Sequence, residues 1–294
     1  MSSPFSASFW RTALSLWVLC QAGSGASAEM ALTDLLKLSE SELKQRDIGA
    51  VNLVVGAGLA GKNSVSLAAG LETLDLWANR VQRTTEQHLP RFRRNPAEFE
   101  DSEAYFRMLV LVTVLQRDLG VKYNAGLVAE PTEKDLRSGE FYRDASLVFL
   151  HGLLGERREG TCASMPVLYA AVGRRLGYPL KLVRTKGHLF LRWEGEGRNR
   201  LNIECSAKGL VCHPDEHYRR WPFTITDAEV KEEGYLRSLT PVEELAEFVT
   251  NRACCLAAAG DLKQARECLE HAARLVPQIP RFRLALAALN QPQQ

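Results

Sequence analysis

Three residues in this sequence have the types and the order of an activated-nucleophile site: Cys162 in "REGTCASMPVLY", His188 in "TKGHLFLRWE" and Glu204 in "RLNIECSAKG". A cysteine thiolate attacks acyl carbonyls. An imidazole takes the thiol proton, and a carboxylate fixes the imidazole tautomer and stabilises the imidazolium. The product is a thioester; water would resolve it as in a peptidase or amidase, an amine as in a crosslinking enzyme. No pattern in the chain selects between these. Each residue alone has an ordinary reading: a small buried hydrophobe, a satisfied strand histidine, a surface or capping carboxylate. What points to chemistry is the combination, with a glycine before both Cys162 and His188.

The elements that must position these groups are legible around them. Cys162 stands where a long apolar helix, "CASMPVLYAAVGRRLG", begins, and Gly177 ends it. The positive end of a helix dipole favours a thiolate. Pro166 is tolerated only in a first turn, so the regular helix is expected to start near Ala163 or Ser164, with Cys162 at its cap. Gly160 would let backbone and substrate approach closely. The backbone N–H of Cys162 is the first candidate donor to an oxyanion. Next come three β-type segments, "LKLVRT", "HLFLRWE" and "RLNIECS", the last two joined by a hairpin turn at "GEGRN". Hairpin strands set their residues side by side. His188 and Glu204 are therefore expected as cross-strand neighbours, with the helix of Cys162 packed against them. A helix followed by antiparallel strands is an α+β arrangement.

The stretches "GTCASMPVLYAAVGRRLGYP", "GHLFLRW" and "NIECSAKG" resemble the transglutaminase-like superfamily, especially bacterial proteins that join such a domain to a C-terminal tetratricopeptide hairpin. The resemblance runs from about Leu150 to Pro277. It implies a papain-like α+β core, with the helix packed on an antiparallel sheet. Carried over by motif position, it implies Cys162 as nucleophile, His188 as base and Glu204 as acid. One departure is the acid, which is more often Asp in the family; Glu204 is longer by a methylene.

The rest of the chain supplies context. Arg11 precedes the apolar segment "TALSLWVLCQAG", and small residues end in Ala26-Ser27-Ala28. That is the pattern of a secretory leader cut after Ala28, and it predicts a periplasmic or extracellular protein. Leu19 before Cys20 is not the small residue that lipid attachment would want. Residues 29–145 read as mostly helical, 146–240 as the transglutaminase-like core, and 241–294 as a tetratricopeptide-like helical hairpin with its joint at Gly260-Asp261. A net charge of +2 without a basic, aromatic-laced stripe argues against nucleic acid. The expected substrates are peptides or proteins, cell-wall material included, and the C-terminal hairpin could hold a protein partner. The triad reading requires no cofactor, and no calcium loop of the D-x-[DN]-x-[DN]-G type is present. The alternative from another class is a non-catalytic module that binds a peptide or protein.

Three other constellations compete. "VVGAGLAG" places Gly56, Gly58 and Gly61 in G-x-G-x-x-G spacing. A dinucleotide site also needs a second strand ending in an acid about 20 residues on, but the chain continues as helix, so no dinucleotide is expected. The glycines are expected as a flexible surface loop leading into that helix. Cys205, Cys212, His213 and His217 are possible zinc ligands without a tight C-x-x-C; a plain loop, or a Cys205–Cys212 disulfide, is the alternative. "HYRRWPF" could line a substrate cleft or pack as an aromatic loop. Cys254, Cys255 and Cys268 are read as packing residues on the two hairpin helices, where oxidation could link one of the first two to Cys268.

Overall fold

Residues 165–173 form a helix with no polar face, and a helix that is apolar all round must be covered on every side. In the computed structural model this helix is the centre of the molecule, and all nine residues from Met165 to Gly173 are buried. The structure describes residues 31–59, 65–124, 139–196 and 200–289. The leader expected at residues 1–28 lies outside the described residues, as does Gly61. The described residues belong to one compact unit that begins at Ala31, and none of their helices is long and apolar enough to cross a membrane.

The longer helices, in chain order, are α1 (Ile48–Gly56), α2 (Leu67–Arg94), α3 (Glu103–Thr113), α4 (Met165–Arg175), α5 (Pro241–Ala258), α6 (Leu262–Leu275) and α7 (Pro280–Leu289). The strands are β1 (Lys122–Tyr123), β2 (Glu159–Gly160), β3 (Leu180–Thr185), β4 (His188–Glu194) and β5 (Arg200–Ile203). β1 and β2 pair in parallel; β3, β4 and β5 form an antiparallel sheet in that order. α4 is packed by α1, α2 and α3 and by strands β3 and β4. The architecture is mixed α and β, as expected, with a helical N-terminal region, a small antiparallel sheet and a helical C-terminal region.

Several boundaries differ from the sequence expectation. The stretch from Ala31 to Asp47, in the region read as mostly helical, forms two short helices, Leu32–Leu35 and Glu40–Lys44. Ser39 starts the second through a capping box with Glu42, which stops the first from running through. The helical region is likewise divided between Pro96 and Gly120. A 3-10 turn, Pro96–Phe99, precedes Ser102, whose side chain caps α3, and a π turn, Val114–Asp118, closes it. Of the glycines expected as a surface loop, Gly56 is instead the last residue of the buried helix α1, while Gly58 follows in an exposed turn at φ +73°. A Cβ at Gly56 would stand 2.7 Å from the Phe149 ring, so glycine there serves packing. Arg252 of α5 caps this helix end, donating at 2.7 Å to the carbonyls of both Val55 and Ala57.

α5 and α6 form the expected antiparallel hairpin, turning at Gly260 (φ +88°) with Asp261 capping α6. α7 continues the helical region. The hairpin packs on the core by α5 against α1. Three acidic residues of α5 are buried, and each meets arginine: Glu243 with Arg237, Glu244 with Arg174, and Glu247 with both Arg184 and Arg281.

Candidate active site

The turn that carries Cys162 is built by its neighbours in "GTCAS". Thr161 and Ser164 are fully buried, and their hydroxyls both donate to the carbonyl of Leu147, at 3.1 and 2.6 Å. Ser164 Oγ accepts the N–H of Thr161 at 3.0 Å, and Thr161 Oγ1 accepts that of Ala163 at 3.2 Å. Gly160 fits beneath this knot; a Cβ there would come 2.6 Å from Ser164 Oγ. Its role is therefore this close approach within the chain rather than room for a substrate. α4 starts at Met165, with Pro166 in its first turn and Ser164 at the N-cap. Cys162 thus stands about one turn ahead of the regular helix rather than at its cap. Its side chain is partly exposed. Its backbone N–H makes no hydrogen bond among the described residues.

His188 opens β4 opposite Thr185, and the two-residue turn before it uses Gly187 at φ +73°. Glu204 lies one residue beyond β5, where the expectation had it on the strand. The register Leu191↔Ile203 extends to set Glu204 opposite Phe190, two residues from His188. The two are therefore diagonal rather than direct neighbours, a separation that only long side chains bridge. The extra methylene of glutamate supplies that reach. His188 Nε2 and Glu204 Oε2 are 2.9 Å apart, with the residues only 5% and 6% exposed.

The carboxylate is held at both oxygens. Oε1 accepts the Ser206 N–H at 2.9 Å and the Ser206 hydroxyl. Oε2 accepts the Tyr218 hydroxyl at 3.3 Å as well as facing His188. Burial alone would raise the Glu204 pKa, but the hydrogen bond and charge of His188 and the bonds from Ser206 bring it below the usual carboxylate value. For His188, burial alone would lower the pKa; hydrogen bonds to Cys162 and Glu204 and the accompanying charge carry it up to about 9. With Nε2 engaged by Glu204, Nδ1 is the ring nitrogen left to serve the thiol. The buried hydroxyl of Tyr218 has its pKa pushed upward by desolvation and by Glu204, so it stays protonated and donates.

A family model describing the transglutaminase-like superfamily matches residues 69–248, more than half of the chain. The chain belongs to the transglutaminase-like superfamily. The matched span includes the Cys162 turn, all three strands of the antiparallel sheet, and the loop holding Glu204 and Ser206. No curated protein and no solved structure matches the chain significantly. The transglutaminase-like span begins inside α2 and ends inside α5, so the helices flanking the sheet belong to it.

Around this centre the other sequence candidates take their places. From "HYRRWPF", Tyr218 is fully buried and stacks on Phe190 at 3.7 Å, while half-buried Trp221 meets the His188 ring edge-on at 4.6 Å. Of the four possible zinc ligands, Cys205 is buried against the carbonyl of Ile203, Cys212 bridges the backbone of Ile203, and His213 stacks on His217 at 3.8 Å. Among the described residues no group of His, Cys, Asp and Glu is arranged to hold a metal ion, and the described cysteines are unpaired. Sequence reasoning missed Ser206, which follows Glu204 by two residues, and Tyr218 as its second donor. Serine two residues after an acid is a recognisable local hydrogen-bond pattern; nothing local in the sequence ties Tyr218 to Glu204.

Proposed function

We propose that the protein is a thiol acyl-transfer enzyme that cleaves an amide or related acyl bond through a thioester on Cys162. The observation that supports this reading is the buried His188–Glu204 pair, Nε2 to Oε2 at 2.9 Å, with the partly exposed Cys162 among the groups that act on the imidazole. In the acylation step the Cys162 sulfur forms a bond to the carbonyl carbon. His188 receives the thiol proton and delivers it to the leaving amine as the C–N bond breaks. Glu204 holds the imidazolium. Water, or a second amine, then attacks the thioester carbon, its proton passes through His188, and the thiol is restored. The substrates proposed are peptides or proteins. The leader pattern in residues 1–28 supports targets outside the cytoplasm, cell-wall amides among them.

Alkylation tests the nucleophile. Burial raises the thiol pKa of the other described cysteines: Cys212 and Cys254 to about 11, Cys255 to about 12, and Cys205 and Cys268 upward as well. Cys162 is partly exposed and faces the raised imidazole. At pH 6 to 7, iodoacetamide should modify Cys162 at least about tenfold faster than any of these five, as read by peptide mass mapping over time. Equal rates at Cys162 and Cys254 would defeat the catalytic reading.

A second prediction concerns alkaline pH. His188 must carry a proton to expel the amine. Its pKa of about 9 keeps the proton it receives from the thiol on the ring through neutrality, and that proton is lost as pH rises through that value. The acylation rate on an amide substrate should therefore fall above about pH 9. Glu204→Gln removes the charge that helps hold the proton, so the fall should move toward lower pH. A limb unmoved by that substitution would separate Glu204 from His188 in function.

A further inference from the structure

The π turn at Val114–Asp118 sits outside the site just described, yet it presents one side chain both to α4 and to the loop that follows Glu204. Gln116 Nε2 donates to the Tyr169 hydroxyl on α4 and to the carbonyl of Ala207, each at 2.9 Å. Its Oε1 accepts the N–H of Gly209 at 2.7 Å. Both amide hydrogens and the amide oxygen are thereby engaged. Ala207 and Gly209 belong to the loop whose Ser206 makes two hydrogen bonds to Glu204, and α4 is the helix that follows Cys162. A π turn widens the backbone by one residue and re-aims the side chains it carries; here Leu119 N–H reaches back to Val114 O at 2.9 Å.

We propose that Gln116 is a positioning residue: it clamps the loop that orients Glu204 to the helix that follows Cys162, and so sets the geometry of the His188–Glu204 pair. The effect on rate rests on the thiol reading above; the effect on His188 itself does not. Only Gln116 among these groups offers two donors and an acceptor in one plane. Leucine at this position keeps the volume and loses all three bonds. Glutamate keeps the acceptor for Gly209 but sets a carboxylate against the Ala207 carbonyl.

The groups facing His188 are Glu204 and Cys162, which raise its pKa, the neutral Tyr218 and Trp221 rings, and His217, whose own pKa burial and His213 keep low. If Gln116 acts as proposed, Gln116→Leu loosens Glu204 and His188 loses support for its proton. In the full-length protein with carbon-13-labelled histidine, the His188 titration midpoint should drop from about 9 by roughly one unit or more toward the unperturbed value. On a chromogenic amide, kcat should fall about 10- to 100-fold, with KM changed much less. Ser206→Ala should lower the same midpoint, and the double variant should fall short of the sum, because both act through one carboxylate. If the leucine variant does not fold, Gln116→Glu carries the same test. A His188 midpoint that stays at the wild-type value in a folded Gln116 variant overturns the proposal. A midpoint that drops in a protein without acyl-transfer activity keeps the positioning role and overturns the proposed function instead.

Discussion

Cys162→Ala should abolish thioester formation and leave the fold intact. With the wild-type protein, an activated acyl ester followed by acid quench should give a mass adduct on the peptide containing Cys162. In the alanine variant the adduct should be absent and amide turnover should fall by at least about 10^4-fold, the scale on which removal of a nucleophile acts. Stability should change by less than about 1 kcal/mol. The turn at this position is held by the side chains of Thr161 and Ser164 and the carbonyl of Leu147, not by the partly exposed sulfur. The paired measurement gives the experiment its force. A stability loss of several kcal/mol with no change in acylation would mark Cys162 as a packing residue. Turnover surviving in a folded alanine variant would place the chemistry elsewhere.

The second large effect is on stability. Glu247→Ala should destabilise the protein by about 3 to 5 kcal/mol, because removing one member of a buried ion pair leaves the other charge without a partner. Here Arg184 would be left without its carboxylate, while Arg281 keeps Glu233 Oε2 at 3.7 Å. The Glu247 side chain is 3% exposed and faces Arg184 Nη1 at 2.7 Å and Arg281 Nε at 3.1 Å. Burial pushes its pKa up, but Arg184 and Arg281 bring it below the ordinary value, so the carboxylate is ionised in the folded protein. Arg281 also lies over the Phe282 ring at 4.5 Å and donates to the backbone carbonyl of Glu233, which keeps its guanidinium in place when the partner is lost. Urea unfolding at neutral pH measures the change, with exposed Glu72→Ala expected within about 0.5 kcal/mol of wild type. A loss below 1 kcal/mol for Glu247→Ala would mean that solvent already screens the cluster, and that apolar contacts alone dock α5. Since Arg184 stands next to Thr185, the residue paired with His188, this cluster also ties the C-terminal hairpin to the strand beside the site.

How much of this was open to a reader of the sequence varies from residue to residue. The three candidates Cys162, His188 and Glu204 were legible because their signals are local: a glycine and threonine before a cysteine at the head of an apolar run, a glycine before a histidine opening a strand, an acid at the end of the next strand. The strand limits of β3 and β4 agree with their sequence stretches, and the joint at Gly260-Asp261 falls where it was expected. The place of Gly56 inside a buried helix was not legible for a physical reason. A short apolar run carries no periodicity that separates a strand from a buried helix, and what decided for helix was its contact with α2 and α4. The buried acids of α5 were equally ambiguous. Glu243 completes a capping box with Thr240, a local role, but nothing nearby in the chain says that Glu244 and Glu247 are buried.

By itself, then, the sequence determined the α+β class, the order of the elements and which three side chains could share a reaction, because helix caps, turn glycines and strand patterns act within a few residues. Only the tertiary structure decided how those side chains are held. The diagonal from His188 to Glu204, the hydroxyl of Tyr218 on that carboxylate, the grip of Gln116 on the Ser206 loop, and the arginines on the α5 acids all join residues far apart in the chain or depend on strand register. Hydrogen bonds and ion pairs of that kind take their geometry from packing, and packing is fixed only when the whole chain has folded around α4.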